Sequence, residues 1–141
     1  MITSKGYCYT KINNRKIMKV KKKILIVDDE PGCLEMFKAR LEASGYEVVC
    51  ASGGRQGLEL AEKDKPDLIL LDIFLPDIGG FKVCRDIKSN EATKNIKVVI
   101  CTNKLSDVDA EQAVKSGADE FIEKMSDSKI LLNVVSNLTK D

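Results

Sequence analysis

Leu68-Ile69-Leu70-Leu71-Asp72-Ile73-Phe74-Leu75-Pro76 is an apolar run that stops at a single carboxylate and then turns at a proline. Four consecutive aliphatic residues after Pro66-Asp67 predict a strand buried on both faces, the pattern of a strand inside a parallel sheet. Ligands of such sheets sit at the carboxyl ends of the strands, which would put Asp72 in a site and not in the core. On this stretch alone the residue reads equally well as a turn aspartate. The other strand ends distinguish the two readings.

Ile24-Leu25-Ile26-Val27 is a second aliphatic run, and it ends in Asp28-Asp29-Glu30 before Pro31, a residue suited to the first turn of a helix. That helix is expected to bury Leu34, Phe37 and Leu41 and to stop at Gly45. Tyr46–Cys50 predicts a short strand, and 54–63 a helix with Leu58 and Ala61 inward. After Asp72, Gly79-Gly80 opens a helix carrying Val83, Cys84 and Ile87. Ile96–Thr102 then forms a strand that ends in a hydroxyl. Ser106 with Asp109 resembles a capping box, which predicts a helix from Ser106 to Gly117. Glu120-Phe121-Ile122-Glu123 alternates like an edge strand and delivers Lys124. A final helix from about Ser126 carries Ile130, Leu131, Val134, Val135 and Leu138 as one stripe. Five repeats of strand then helix imply a parallel sheet with helices on both faces.

Composition narrows the function. A chain of 141 residues fits one domain that buries roughly two-thirds of its unfolded surface without a staple. The five cysteines, Cys8, Cys33, Cys50, Cys84 and Cys101, form no CxxC and have no histidine to join them at zinc, so they read as reduced core residues. No apolar run is long enough for a membrane span and no signal peptide is visible, which predicts a cytoplasmic protein. Residues 1–23 hold eight Lys/Arg and no acid, whereas the rest holds 15 basic against 22 acidic residues, a net of −7. An acidic body argues against direct nucleic-acid binding. Residues 1–20 lack a period and are expected to be a basic, disordered extension, with the folded domain over 21–141; a start at Met18 would remove most of that extension.

Four of the five strand ends carry reactive side chains: Asp28 and Asp29, Asp72, Thr102, and Lys124. Three carboxylates in one crevice repel each other, a cost that a divalent cation removes. Oxygen-only ligands favour a hard ion, and few carboxylates plus water suit Mg2+. A carboxylate beside magnesium can act as a nucleophile toward phosphorus, giving an acyl phosphate. Phosphoryl transfer needs little more than in-line positioning and neutralised equatorial oxygens, roles open to Mg2+, Lys124 and Thr102.

Over residues 21–140 the sequence resembles the receiver domain of two-component response regulators. The motifs that carry the resemblance are Ile24–Pro31, Leu70–Gly80, Thr102, Gly117-Ala118, and Phe121 three residues before Lys124. The resemblance implies a doubly wound, flavodoxin-like five-stranded sheet of order 2-1-3-4-5. It implies that Asp72 is the phosphoacceptor, that Asp28, Asp29, Asp72 and the backbone carbonyl of Phe74 hold Mg2+, that Lys124 binds the phosphoryl group, and that Thr102 and Phe121 form the switch. The implied partners are a sensor histidine kinase or a histidine phosphotransfer protein, and a downstream protein on the face of the fourth helix, fifth strand and fifth helix, about residues 107–139; a homodimer is left open. Catalysis is expected to be confined to the domain's own phosphorylation and dephosphorylation. With no output domain after Asp141, the chain is expected to act as a stand-alone receiver or to be a receiver fragment of something longer. Two departures are visible: Met125 follows Lys124 where the family usually has proline, which predicts a trans bond and a shifted loop, and Asn103 replaces a small residue after Thr102. The competing readings are a phosphorylation-independent pseudo-receiver, a haloacid-dehalogenase-like phosphatase, disfavoured because Phe74 replaces the second Asp of an Asp-x-Asp signature, and a flavodoxin-type binder, disfavoured by the acidic mouth.

Overall fold

The aliphatic runs become a single parallel sheet. The structure is a computed structural model that describes residues 7–140. Its strands β3 (Lys23–Val27), β4 (Glu47–Ala51), β5 (Leu68–Leu71), β6 (Lys97–Thr102) and β7 (Glu120–Glu123) pair in the order β4-β3-β5-β6-β7, which is 2-1-3-4-5 when counted within this sheet. All four pairings are parallel. Ile24 to Val27 and Leu68 to Leu71 are buried at every position, as strands covered on both faces require.

Helices α1 (Pro31–Ala43) and α5 (Ser128–Thr139) cover one face, where Ile24, Ile26, Phe37, Leu41, Leu68, Leu70, Leu131 and Val135 form one core. On the other face α2 (Gly54–Asp64) and α3 (Gly80–Ser89) close a second core that includes Leu25, Val27, Ala61, Ile69, Val83 and Ile87. Pro31 occupies the first turn of α1, and Gly45, with φ +93°, lets the chain reverse after it. Cys84 and Cys101 are buried, Cys33 and Cys50 half-buried, and all four are free thiols. Among the described residues no helix is long and apolar enough to cross a membrane.

Three expectations need correction. Residues 7–20 do not lack structure: β1 (Tyr7–Ile12) and β2 (Arg15–Val20) form an antiparallel hairpin turned at Asn13 and Asn14, both in the left-handed region. Positive φ at two successive asparagines is the signature of a two-residue type I′ turn. The remainder of the predicted extension, residues 1–6, lies outside the described residues. Helix α4 spans only Ala110–Ser116, after a 3-10 turn at Leu105–Asp107. Asp109 and not Ser106 caps it, because the Asp109 carboxylate accepts from the amides of Glu111 (2.9 Å) and Gln112 (3.2 Å). In α5, capped by Asp127, the stripe is narrower than predicted: Leu131 and Val135 are buried, whereas Ile130 is exposed.

Candidate functional site

Each residue at the mouth is held by one ladder bond beyond the regular strand. The amide of Asp28 donates to Ala51 O (3.1 Å), that of Asp72 to Val27 O (3.0 Å), and that of Lys124 to Thr102 O (2.7 Å). Neighbouring strands thus align their last residues, and Asp28, Asp72, Thr102 and Lys124 arrive at one end of the sheet with at most 5% of their surface exposed.

The buried charges meet directly. Lys124 Nζ lies 2.8 Å from Asp28 Oδ2 and 3.2 Å from Asp72 Oδ2. Carboxylate oxygens of Asp28, Asp29 and Asp72 come within 4.8 Å of one another, and Asp29 is exposed. The second oxygen of Asp28 accepts from the Glu30 amide at 3.0 Å, and that of Asp72 has only the long 3.4 Å contact with the Phe74 amide. Three carboxylates against one ammonium leave two negative charges at a cleft in which Asp28 and Asp72 are buried and Asp29 meets water, a surplus that fits a divalent, oxygen-seeking cation.

Electrostatics follows from this crowding. Burial pushes the Asp72 carboxyl above its ordinary value, with Lys124 opposing and Asp28 reinforcing the shift. For Lys124 burial acts downward, but hydrogen bonding and attraction from Asp28 and Asp72 prevail and hold the ammonium above the usual lysine range, so it stays charged. The nearby Cys33 thiol is raised to about 11 by burial and by its bond to Glu30, and Cys101 to about 12 chiefly by burial, which leaves both protonated and unreactive at neutral pH.

The loop after Asp72 is tied down by two residues whose roles the sequence did not reveal. Asp77 accepts from the amides of Gly54 (2.8 Å), Arg55 (3.0 Å) and Ile78 (2.8 Å), so it caps α2 from a different loop. Those amides hold its carboxyl down at about 2. The available signal was the absence of a side-chain cap at Gly53, the residue before α2. Gly80 packs its backbone against that of Asp72: a Cβ there would collide with the Asp72 carbonyl oxygen and stand 2.6 Å from Ile73 Cα. Its amide also donates to Ile73 O at 2.8 Å, closing the turn.

Of the other predicted residues, Phe74 is exposed at the rim, and Phe121 is half-buried against the core on the α2–α3 face. Thr102 lies at the end of β6, and Asn103 is exposed beside it. Met125 is exposed, and all described peptide bonds are trans, including the one before it.

Fold and site together define an open, doubly wound α/β domain with an acidic cleft, containing one lysine, at the carboxyl end of its sheet. The family model of the response regulator receiver domain matches residues 24–136. The response regulator PleD of Caulobacter vibrioides is 39% identical over 118 residues, covering 84% of this chain and 26% of PleD. Protein PilH of Pseudomonas aeruginosa is 35% identical over 114 residues, covering 81% of this chain and 94% of PilH. Among solved structures, the receiver domain of the sensor histidine kinase PA1611 from Pseudomonas aeruginosa, with a magnesium ion coordinated in its active site cleft, superposes with a TM-score of 0.78 at 25% identity, covering 84% of this chain and 97% of that one. The chain belongs to the response regulator receiver domain family, the signalling domains of two-component systems.

Proposed function

We propose that this protein is a phosphoacceptor of a two-component phosphorelay, with Asp72 as the residue modified. The observation that carries the reading is the contact of Lys124 with both Asp28 and Asp72 inside a cleft that also gathers Asp29. A sensor histidine kinase or a histidine phosphotransfer protein supplies the phosphoryl group. An Asp72 oxygen attacks phosphorus in line, a P–O bond forms, and the P–N bond of the donor phosphohistidine breaks. Its electron pair stays on the imidazole nitrogen, which takes a proton from solvent.

Asp28, Asp29 and Asp72, with the backbone carbonyl of Phe74, would hold Mg2+. When bound, the ion neutralises charge on the transferred group. The chain's own residues perform the remainder. Lys124 pairs with a phosphoryl oxygen, the Thr102 hydroxyl donates to another, and the ladder bonds beneath Asp28, Asp72 and Lys124 keep these groups in register. The domain catalyses no other reaction.

Phosphorylation adds about −1.5 to −2 charges at Asp72 and draws Lys124 and Thr102 toward it. Phe121, which pairs with Ile100 in the strand beside Thr102, reports that movement to the face formed by α4, β7 and α5, where a downstream protein docks. Turning such a switch from 1:99 to 99:1 requires a bias of about 5.5 kcal/mol toward the active state. The experiment is intact mass after incubation with magnesium and acetyl phosphate, beside Asp72→Asn. A gain of one phosphoryl group that needs magnesium and disappears in the variant is expected. A gain that persists in the variant overturns the assignment of Asp72, as does failure of both acetyl phosphate and a phosphorylated kinase to label the wild-type chain.

A further inference from the structure

Thr102 ends β6, where its carbonyl is fixed by the ladder bond from the Lys124 amide, but the chain beyond it is held by a different contact. Asn103 and Lys104 lead into the single 3-10 turn Leu105–Asp107, and the Lys104 side chain does not cap that turn. Its first amide, that of Leu105, donates instead to the side-chain carboxylate of Glu123 at 3.1 Å. Glu123 is the register partner of Thr102 in β7. Its own backbone is clamped, because the Glu123 carbonyl accepts from the Ser126 hydroxyl at 2.7 Å and from the Ser126 amide at 3.1 Å. Alternation along the strand places Glu123 on the same side as Phe121, which packs on the α2–α3 core, and opposite Ile122, which enters the α1–α5 core. The next residue, Lys124, turns into the cleft to meet Asp28 and Asp72, so consecutive side chains reach the acidic mouth and the loop after Thr102.

We propose that Glu123 is a positioning residue whose carboxylate latches the loop after Thr102 and sets how readily the Thr102 hydroxyl is drawn to a phosphoryl group on Asp72, a role that rests on Asp72 being the phosphoacceptor. Thr102 is buried, and its short side chain travels mainly with its backbone. Drawing it toward Asp72 pulls Asn103 and Lys104 along, and the next amide in the chain is the one that Glu123 holds. The latch therefore opposes the movement. An amide bonded to a carboxylate makes one of the stronger hydrogen bonds, but here both partners are exposed to water. Water replaces either partner when the bond opens, so no buried polar group is left unmet. Such a contact is a reversible restraint, strong enough to bias the loop and weak enough for a new charge at Asp72 to release it.

The test uses the full chain beside Glu123→Ala and Glu123→Gln, the second of which keeps a carbonyl acceptor for the Leu105 amide. Hydrogen exchange followed by NMR reads that amide directly, and exchange is expected to be faster in Glu123→Ala by roughly three- to tenfold, the worth of one hydrogen bond, with Glu123→Gln close to wild type. Adding magnesium and beryllofluoride, a mimic of the phosphoryl group, should speed exchange at Leu105 in wild type and leave it unchanged in Glu123→Ala. Intact mass across a titration of acetyl phosphate with magnesium should then show Glu123→Ala half-labelled at a donor concentration roughly three- to tenfold lower than wild type, and Glu123→Gln again close to wild type. Mere damage to the fold would not make labelling easier. Equal Leu105 exchange in wild type and Glu123→Ala, or equal half-labelling concentrations despite faster exchange, would overturn the latch and leave Asp72 as the acceptor. Failure of the wild-type chain to be labelled by either acetyl phosphate or a phosphorylated kinase would overturn both.

Discussion

Aspartates stand at both ends of the sheet and do opposite things. At the amino end of the strands, Asp67 accepts from the Lys23 amide at 2.8 Å, and Asp119 accepts from the Val98 amide at 2.8 Å and from Lys88 Nζ at 2.7 Å. Each is close to water and each has a matched donor. At the carboxyl end, Asp28, Asp29 and Asp72 converge on one lysine and few amides, with two of the three buried. A carboxylate whose donors balance its charge organises backbone; carboxylates in excess of their donors leave a negative surplus that suits a divalent cation.

The largest test of that contrast is Lys124→Met. Removing one member of a buried ion pair costs about 3–5 kcal/mol, here by leaving Asp28 and Asp72 facing each other. A lower melting temperature is expected, with part of the loss recovered on adding magnesium. If melting were equally low with and without magnesium, the surplus-charge account of the mouth would fail. Gly80→Ala comes next. Its Cβ meets backbone that cannot swing aside, so about 1–3 kcal/mol should be lost along with phosphorylation of the displaced Asp72. Chemical denaturation and the mass assay read the two effects separately.

At the amino end the same kind of change should matter less. Lys88→Met breaks a pair that is partly open to solvent, with Asp119 still bonded to the Val98 amide, and about 1 kcal/mol or less is expected by denaturation, with normal phosphorylation. The smallest effect belongs to Asp77→Ala, which removes the cap of α2 at an exposed position. Because amides hold the folded Asp77 carboxyl at about 2, below its ordinary value of 3.8, its contribution is fully present above pH 4 and fades as pH falls toward 2. Wild type and variant should therefore differ in melting temperature at pH 7 and converge near pH 2; a constant difference would assign the effect to packing.

The five strand–helix repeats and the acidic mouth were legible because aliphatic runs that end in Asp, Thr or Lys state both burial and its limit. The hairpin was harder to see. Lysines interrupt its alternation, and its clearest signal, Asn13-Asn14 between segments rich in aromatic and β-branched residues, is a turn cue and not a hydrophobic one. The start of α4 is ambiguous in the sequence because Ser106 and Asp109 are both acceptable caps, and only the fold chooses which carboxylate or hydroxyl meets free amides. A 3.6-residue period admits Ile130 to a wide apolar stripe, whereas α5 presents only a narrow one to the sheet.

By itself the sequence determined a parallel α/β sheet, the residues that terminate its strands, and the chemical type of the site, since these depend on local pattern and on side-chain chemistry. Tertiary structure alone decided the 2.8 Å pairing of Lys124 with Asp28, the capping of α2 by Asp77, the backbone approach that demands Gly80, and the separation of the basic hairpin from the sheet. Each joins residues distant in the chain or depends on how two elements stand against each other, and such contacts are set by strand register and packing that no local window of sequence encodes.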